Sequence, residues 1–279
     1  MPLHAPQIDH VVINVLSTLD EAADRYRRLG FELTERGHHT LGSSNHLAMF
    51  GTDYLELLGF QPGRETRRPD LVSYPTGLSG LVLKPPADAD FAEQLRAMGV
   101  AADEPQEFSR PVNLPGGPQD ARFRTVNALG AIENGRLFFC HHYTPEVVWR
   151  DEWRQHANGA TGITDFVIAA RDVPRTAEVF ERLFGPGAST PIEGGRAYTA
   201  GRATIRIITP DVLAATYGDA VPHQADGTDR MVALGLRTAS LAQTKAALAK
   251  GGVSGTIIRG NQAVVPAAEA CGLALLFAE

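Results

Sequence analysis

Hydrophobic and polar residues follow one another in an order that recurs four times along the chain. The first unit begins with the apolar run at residues 8–15, which predicts a short buried strand. A helical pattern follows, with Thr18 as N-cap, Glu21 three residues later and Gly30 as the stop. Three more strand-like runs, at residues 31–36, 45–50 and 54–60, complete the order β-α-β-β-β.

Three further units repeat this order. Their first strands are predicted at residues 78–83, 163–169 and 231–236, and their helices at residues 88–98, 173–183 and 241–250, each ended by glycine. Short strands are predicted near residues 107, 190 and 256, and at 121–126, 136–143, 196–199, 204–208, 262–265 and 273–277. A single α/β sheet with a parallel core is the alternative, but it would need a helix after nearly every strand.

Three stretches interrupt the repeat. Residues 144–159 are aromatic and charged, and we interpret them as the connection between two domains, residues 1–148 and residues 149–279. Residues 211–228 form a second irregular stretch, which is expected to wrap part of the second domain. Residues 110–120, rich in proline and glycine, predict a loop beside the cleft of the first domain.

Composition narrows the class of protein. The chain has 279 residues, 43% hydrophobic and 21% charged, with a formal net charge of −6, which argues against nucleic acid as a partner. Two cysteines, Cys140 and Cys271, lie far apart and suggest a reducing cytoplasm rather than a disulfide scaffold. Neither a signal peptide nor a membrane-spanning run is evident, so no membrane association is expected. A homodimer is compatible with the sequence but has no residue evidence.

Several short motifs resemble those of a known family. They are Asp9-His10-Val11-Val12, His39 with Gly42 and Asn45, Tyr54-Leu55-Glu56-Leu57 and Leu137-Phe138-Phe139. They resemble the glyoxalase-like domain proteins of the vicinal-oxygen-chelate superfamily, which includes glyoxalase I, extradiol dioxygenases, epimerases and bleomycin-resistance proteins. The resemblance covers roughly residues 8–160. It implies an α+β fold of four βαβββ units in two glyoxalase-like domains, with a divalent metal ion held in a cleft.

The resemblance also implies a metal site in the first unit. It places His10 on the first strand and Glu56 on the fourth, side by side and facing the cleft. Zinc, nickel, manganese or ferrous iron would suit such ligands. A histidine bonded to the backbone and a carboxylate at a sheet edge are the structural alternatives for these two residues.

The third ligand is expected from the last strand of the second unit. Alternation puts His142 on the same face as Phe138 and Cys140, in a register that aligns Cys140 with Glu56. His141 takes this place if the register slips by one residue. The first strand of the second unit has Ser79-Gly80 where the superfamily commonly has a histidine, which departs from a complete metal site.

Five side chains are candidates for binding or catalysis. His46 is a candidate general base, ligand or substrate donor, with a surface histidine as the alternative. Asn45 and Tyr54 are candidates for substrate binding, as is His141, although Asn45 also suits a turn. Arg124 alternates onto one face with Arg122 and is a candidate for binding a substrate carboxylate, with solvated arginines as the alternative.

The second half of the chain carries no such set of ligands. Asp165 falls where His10 falls in the first unit, Ile205 and Ile207 fall where Glu56 would be, and the last strand offers Leu275. Two-domain extradiol dioxygenases hold their iron in the second half, which makes that activity a weaker alternative. We therefore expect a metal-dependent lyase or isomerase that acts on a small oxygenated molecule through a metal-bound enolate. The other alternative is a non-catalytic binding or resistance protein that uses the same cleft.

Overall fold

The computed structural model describes residues 2–3, 6–61, 63–86, 91–222 and 227–279. The strands of the first half are β1 (Ile8–Leu16), β2 (Gly37–His38), β3 (Ser43–Met49), β4 (Tyr54–Phe60), β5 (Gly77–Leu83), β6 (Gln106–Leu114), β7 (Gly117–Ala128) and β8 (Arg136–His142). Those of the second half are β9 (Ala160–Ala169), β10 (Ser189–Ile192), β11 (Gly195–Ala200), β12 (Ala203–Ile208), β13 (Arg230–Thr238), β14 (Ile257–Arg259), β15 (Gln262–Val265) and β16 (Ala274–Ala278). The helices are α1 (Leu19–Arg28), α2 (Pro69–Val72), α3 (Phe91–Ala97), α4 (Pro145–Val148), α5 (Val173–Phe184), α6 (Pro210–Tyr217) and α7 (Leu241–Lys250).

Each half forms one eight-stranded sheet with the same topology. The strand order is β2-β3-β4-β1-β5-β8-β7-β6 in the first sheet and β10-β11-β12-β9-β13-β16-β15-β14 in the second. At the centre of the first sheet, β1 and β5 are antiparallel, while β1 pairs in parallel with β4 and β5 with β8. Two βαβββ units therefore build each sheet, and the predicted α+β fold is confirmed.

The two halves share one hydrophobic core. One face of each sheet packs against the helices α1, α3, α5 and α7, and residues of both halves belong to the same buried cluster. Phe31 and Phe277, which come from different halves, have ring centroids 6.0 Å apart. The opposite face of each sheet carries its own smaller apolar cluster, and there each sheet lines a cavity.

The prediction of a strand at residues 31–36 is wrong. These residues are irregular, and only β2 follows them. One backbone bond, from the Thr34 N–H to the Leu47 carbonyl, is supplemented by side chains: the Thr34 hydroxyl accepts the Leu47 N–H, and His156 Nδ1 accepts the Glu32 N–H. The polypeptide is held against β3 without forming a strand.

Two of the interrupting stretches contain regular structure: the loop predicted at residues 110–120 is corrected, and residues 211–228, expected to wrap part of the second domain, include a helix. The first of them belongs to a long hairpin in which β6 pairs with β7, from Gln106 opposite Thr125 to Leu114 opposite Gly117. The second contains α6, whose Leu213 and Tyr217 pack into the apolar cluster of the second sheet. Residues 223–226 and the predicted helix start at residue 88 lie outside the described residues.

Candidate functional site

The face of the first sheet that points away from the helices encloses a cavity of about 310 Å³. Its wall includes His10 from β1 and Glu56 from β4, both buried. β1 and β4 are parallel neighbours, and His10 pairs with Tyr54 while Val12 pairs with Glu56. His10 Nε2 lies 3.7 Å from Glu56 Oε2, so the imidazole and the carboxylate meet in one pocket.

Asp9 fixes the orientation of the His10 ring. His10 Nδ1 donates to Asp9 Oδ1 at 2.7 Å, which leaves Nε2 free on the side of Glu56. Tyr54 stacks on the same ring, with centroids 4.3 Å apart and planes 10° apart. Burial alone would raise the pKa of Asp9, but the charge of His142 and the hydrogen bonds from both histidines hold this pKa well below its usual range.

His142 lies on the other side of Asp9. Its Nε2 donates to the same Asp9 Oδ1 at 3.1 Å, and its Nδ1 is buried with no partner among the described residues. Asp9, Cys140 and His142 bring a carboxylate oxygen, a sulfur and a nitrogen within 4.8 Å of one another. Both histidines thus bond the same Asp9 oxygen, and of the predicted trio His10 and Glu56 line the cavity while His142 does not.

The side-chain amide of Asn45 holds Glu56 in place and also contacts a neutral histidine, His39. Asn45 Nδ2 donates to Glu56 Oε1 at 2.6 Å and lies 3.3 Å from His39 Nε2. The other nitrogen of His39 bonds the Ser43 hydroxyl at 2.9 Å. Burial, followed by the charges of Arg110 and Arg68, lowers the pKa of His39 well below its usual range, so this ring stays neutral.

The donor set of His10 and Glu56 fits a divalent ion in part. Two ligands about 2.1 Å from one tetrahedral ion lie about 3.4 Å apart, close to the 3.7 Å observed between these atoms. A bond from the second ring nitrogen to a carboxylate is usual for a metal-binding histidine, and Asp9 makes this bond. His10 and Glu56 would therefore hold the ion, with the remaining positions left to other ligands.

The second unit does not repeat this pair. Val12 pairs with Gly80, and Gly80 in turn pairs with Arg136, which puts Phe138 in the place on β8 that Glu56 has on β4. The register expected from the sequence, with Cys140 aligned with Glu56, is thus corrected by two residues. A Cβ atom on Gly80 would lie 2.7 Å from Val12 Cβ and 3.5 Å from the Phe138 ring, so this position has no room for a side chain.

Three other predicted residues lie away from the cavity. His46 is on the α1 side of β3, where its Nδ1 donates to the Thr34 carbonyl, and it alternates with the cavity-lining Asn45 and Leu47. Arg124 alternates with the lining residues Phe123 and Thr125, and His141 is exposed. The cavity wall among the described residues includes Asn45 and Tyr54 but excludes His46, Arg124 and His141.

The second sheet has a cavity of about 410 Å³ with different chemistry. Asp165 pairs with Thr204 and lies where His10 lies in the first sheet, so the counterpart of Glu56 is Arg206 and not Ile205 or Ile207. Arg206 Nε donates to Asp165 Oδ1 at 2.7 Å. An ion pair therefore stands where the first sheet has an imidazole and a carboxylate.

Sequence reasoning missed Asp9 and three arginines of the cavity. Strict alternation puts Asp9 and His10 on opposite faces, but the register between β1 and β5 shifts between Ile8 and His10 and brings both to Oδ1–Nδ1 contact. Arg68, Arg110 and Arg136 come from separate segments, and sequence spacing alone gives no signal that they meet. Only Arg110 could have been identified: if residues 106–128 had been interpreted as a hairpin, alternation would have placed Arg110 on the cavity face together with Phe108.

Comparisons with known proteins identify the family. Residues 8–184 match the family described as "Glyoxalase-like domain", which is more than half of the chain. Among proteins with curated descriptions, none matches the sequence. Among the described residues, no helix is both long and apolar enough to cross a membrane.

Solved structures share the fold at low sequence identity. A hypothetical protein from Staphylococcus aureus has a TM-score of 0.66 and 12% identity, covering 98% of each chain. A mutant of 4-hydroxymandelate synthase from Streptomyces coelicolor has a TM-score of 0.59 and 14% identity over 99% of this chain and 92% of its own. A xylose isomerase-like TIM barrel/4-hydroxyphenylpyruvate dioxygenase fusion protein has a TM-score of 0.58 and 13% identity; the match covers this whole chain and half of that one.

Proposed function

The chain belongs to the glyoxalase-like domain family of the vicinal-oxygen-chelate superfamily, and we propose that it is a metal-dependent enzyme of lyase or isomerase type. Its substrate would be a small oxygenated organic molecule bound in the cavity of the first sheet. One observation carries this proposal: His10 Nε2 and Glu56 Oε2 lie 3.7 Å apart on the cavity wall, with His10 oriented by Asp9.

The bound ion would supply positive charge beside a substrate oxygen as negative charge develops on it. The protein's own residues prepare that position. Asp9 selects the tautomer in which His10 presents Nε2, and Asn45 holds one oxygen of Glu56 and leaves the other beside His10. The stacked Tyr54 ring prevents the His10 ring from turning.

The two corresponding positions of the second unit supply no metal ligand, which would leave coordination positions for a substrate. Gly80 and Phe138 offer no ligand atom where a second imidazole and carboxylate would stand. An ion held by two protein ligands keeps more coordination positions for substrate oxygens or water than an ion held by four. The proposal therefore places the substrate in the cavity beside His10 and Phe138, whose rings contact each other edge-to-face with centroids 5.9 Å apart.

Metal analysis of the purified protein tests the proposal. Zinc, nickel, manganese and ferrous iron are each offered in excess, the protein is desalted, and bound metal is measured by mass spectrometry. We expect stoichiometric binding of at least one of them, loss in His10→Ala and Glu56→Gln, and retention in His141→Ala, which changes an exposed histidine of the same sheet. Failure of the wild-type protein to retain any of the four metals would overturn the proposal.

Gly80 favours a second candidate function. Because this position has no room for a side chain, the second unit supplies no ligand there and the metal site is incomplete. An incomplete metal site is what we expect of a protein that only binds small molecules. In that case the cavity binds its ligand equally well in wild-type protein and in Glu56→Gln, with no metal in either. Calorimetric titration of both proteins with the same ligand separates the two functions.

A further inference from the structure

Two arginines of the cavity wall have buried guanidinium nitrogens without a hydrogen-bond partner among the described residues. Arg110 on β6 is 3% exposed, and the Arg136 side chain at the start of β8 is 12% exposed. In each of them, Nε and Nη2 are buried and have no hydrogen-bond partner in the described part of the chain. These two nitrogens form one edge of the planar guanidinium group, the edge that takes a carboxylate through two parallel hydrogen bonds.

A third arginine of the wall shows the satisfied arrangement. Arg68 donates from Nε and Nη2 to the two oxygens of Asp70, at 2.9 and 2.7 Å, and from Nη1 to Ser43 Oγ. Both carboxylate oxygens of Asp70 thus accept a hydrogen bond from Arg68. The distance from Asp70 Oδ2 to Arg136 Nη1 is longer, at 3.5 Å. The free edges of Arg110 and Arg136 match the edge that Arg68 uses for its carboxylate.

The other carboxylates of the wall do not supply the missing partners. Both oxygens of Asp103 accept from Asn127, through its backbone N–H and its side-chain amide. Glu56 is bonded to Asn45 and faces His10. Arginine keeps its charge even when buried, and a buried charge without a partner is costly. An anionic ligand in the cavity would remove that cost.

We propose that the cavity binds a small organic dicarboxylate, with one carboxylate on the free edge of Arg110 and the other on that of Arg136. Phe108, Phe123 and Phe138 line the same cavity and give the body of the ligand an apolar, aromatic surface. The volume of about 310 Å³ is at the small end of the range for ligand pockets, which fits a molecule of this size. This inference rests on the proposed function only in using the same cavity, because the arginines act on the ligand and not on the ion.

Titration with benzene dicarboxylates tests the inference. The probes are phthalate, isophthalate and terephthalate, whose carboxylates are held at three different separations, with benzoate and benzamide as the singly charged and neutral comparisons. We expect at least one isomer to bind at least 10-fold more tightly than benzoate, and benzoate more tightly than benzamide. Arg110→Gln and Arg136→Gln should each reduce the affinity for that isomer to the level of benzoate.

Matched variants keep the test interpretable. Arg124→Gln changes an arginine on the face of β7 opposite the cavity and should leave every affinity unchanged. Arg110→Lys keeps the charge without the two-donor edge and should also lose at least 10-fold. Circular dichroism checks that each variant is folded. The inference is overturned if no isomer exceeds benzoate, if both glutamine variants bind as the wild type does, or if inorganic phosphate binds more tightly than every isomer.

Metal content measured in the same samples separates this inference from the proposed function. Dicarboxylate binding through the two arginines in a protein that retains no metal overturns the proposed function alone. Retained metal without dicarboxylate binding overturns this inference alone. Binding that persists in Glu56→Gln assigns the ligand to the arginines and not to the ion.

Discussion

Asp9 is bonded to two histidines through a single oxygen, and this decides how each histidine can act. His10 Nδ1 and His142 Nε2 both donate to Asp9 Oδ1, at 2.7 and 3.1 Å. His10 therefore presents Nε2 to the cavity, whereas the remaining nitrogen of His142, Nδ1, is buried. A carboxylate in this position makes the bonded imidazole a stronger metal ligand and prevents its rotation.

Asp9→Asn tests this role. We expect metal affinity to fall by about 10- to 100-fold, because the amide is a weaker acceptor and no longer makes the imidazole more basic. Competition with a chromophoric chelator measures the dissociation constant. Asp24→Asn changes an exposed aspartate on α1 that pairs with Arg27, and it serves as the control. Equal metal affinity in Asp9→Asn and wild type would contradict the role assigned to Asp9.

Arg110 makes a prediction about stability. Its guanidinium is buried, and Nε and Nη2 are unpartnered within the described residues. Arg110→Met keeps the length of the side chain and removes the charge, so we expect the free energy of unfolding to rise by about 1–3 kcal/mol in anion-free buffer. Urea denaturation measures this change.

The same substitution at a bonded arginine provides the contrast. Arg68→Met removes both hydrogen bonds to Asp70 and the one to Ser43 Oγ, and should lower the free energy of unfolding. If Arg110→Met is less stable than the wild type in the same buffer, the charge of Arg110 stabilises the fold without a ligand, which would contradict the prediction.

At the scale of elements, β1 and β5 determine what the site can contain. These strands are antiparallel neighbours at the centre of the sheet, and β1 carries His10 while β5 carries Gly80. Glycine at this position lets Val12 and Phe138 approach the β5 backbone. The pair of strands therefore supplies a ligand from one unit only.

Gly80→Ala tests how tightly the strands pack. The added Cβ would meet Val12 Cβ at 2.7 Å, so we expect a loss of about 1–3 kcal/mol in the free energy of unfolding. Gly116→Ala, in the β6–β7 turn, is the control, since no described atom lies within 4 Å of its added Cβ. Thermal unfolding of the two variants gives the comparison. A stable Gly80→Ala protein would mean that the position has room for a side chain after all.

The sequence predicts elements well where local chemistry decides them. The four strand–helix–glycine beginnings follow from apolar periodicity and helix stops, and each is present; Gly30, for example, has a φ of 87° after α1. The strand predicted at residues 31–36 was wrong because partners distant in sequence, such as His156, hold the chain there. His10 and Glu56 followed from a motif, whereas Asp9 depends on a register shift and the arginines on tertiary contacts.

At the scale of the whole molecule, the segment between the sheets joins the two halves through hydrogen bonds as well as through the shared core. Asn158 is fully buried; its backbone N–H donates to the Gly30 carbonyl, and its side chain donates to the Leu29 carbonyl and accepts the Ala160 N–H. His156 Nε2 donates to the Met49 carbonyl. The boundary between domains at residues 148 and 149 stays a prediction, and these contacts argue that the halves unfold together.

Asp53 links the two sheets and makes stability depend on pH. It lies in the turn between β3 and β4, and its Oδ1 accepts the Ile163 N–H of β9 at 2.9 Å. Burial raises the pKa of Asp53 to about 6, although the hydrogen bonds from Ile163 and Thr52 oppose the rise. Between the unfolded-state pKa of about 4 and the folded-state pKa near 6, the folded protein keeps a proton that the unfolded chain has released. This carboxyl group therefore makes the free energy of unfolding fall as pH rises through that window.

Asp53→Asn removes this dependence while its amide oxygen still accepts the Ile163 N–H. The variant and the wild type should be similarly stable near pH 4, and the variant should be more stable at pH 7.5, by on the order of 2–3 kcal/mol. Denaturation across this pH range measures the difference between the two proteins, so that the titration of every other group cancels. Asp219→Asn, at an exposed position of the second half, should track the wild type throughout. If the difference in the free energy of unfolding between Asp53→Asn and wild type is the same from pH 4 to 7.5, the pKa of this carboxyl group does not change on folding. The contribution of the contact with Ile163 would then not depend on pH.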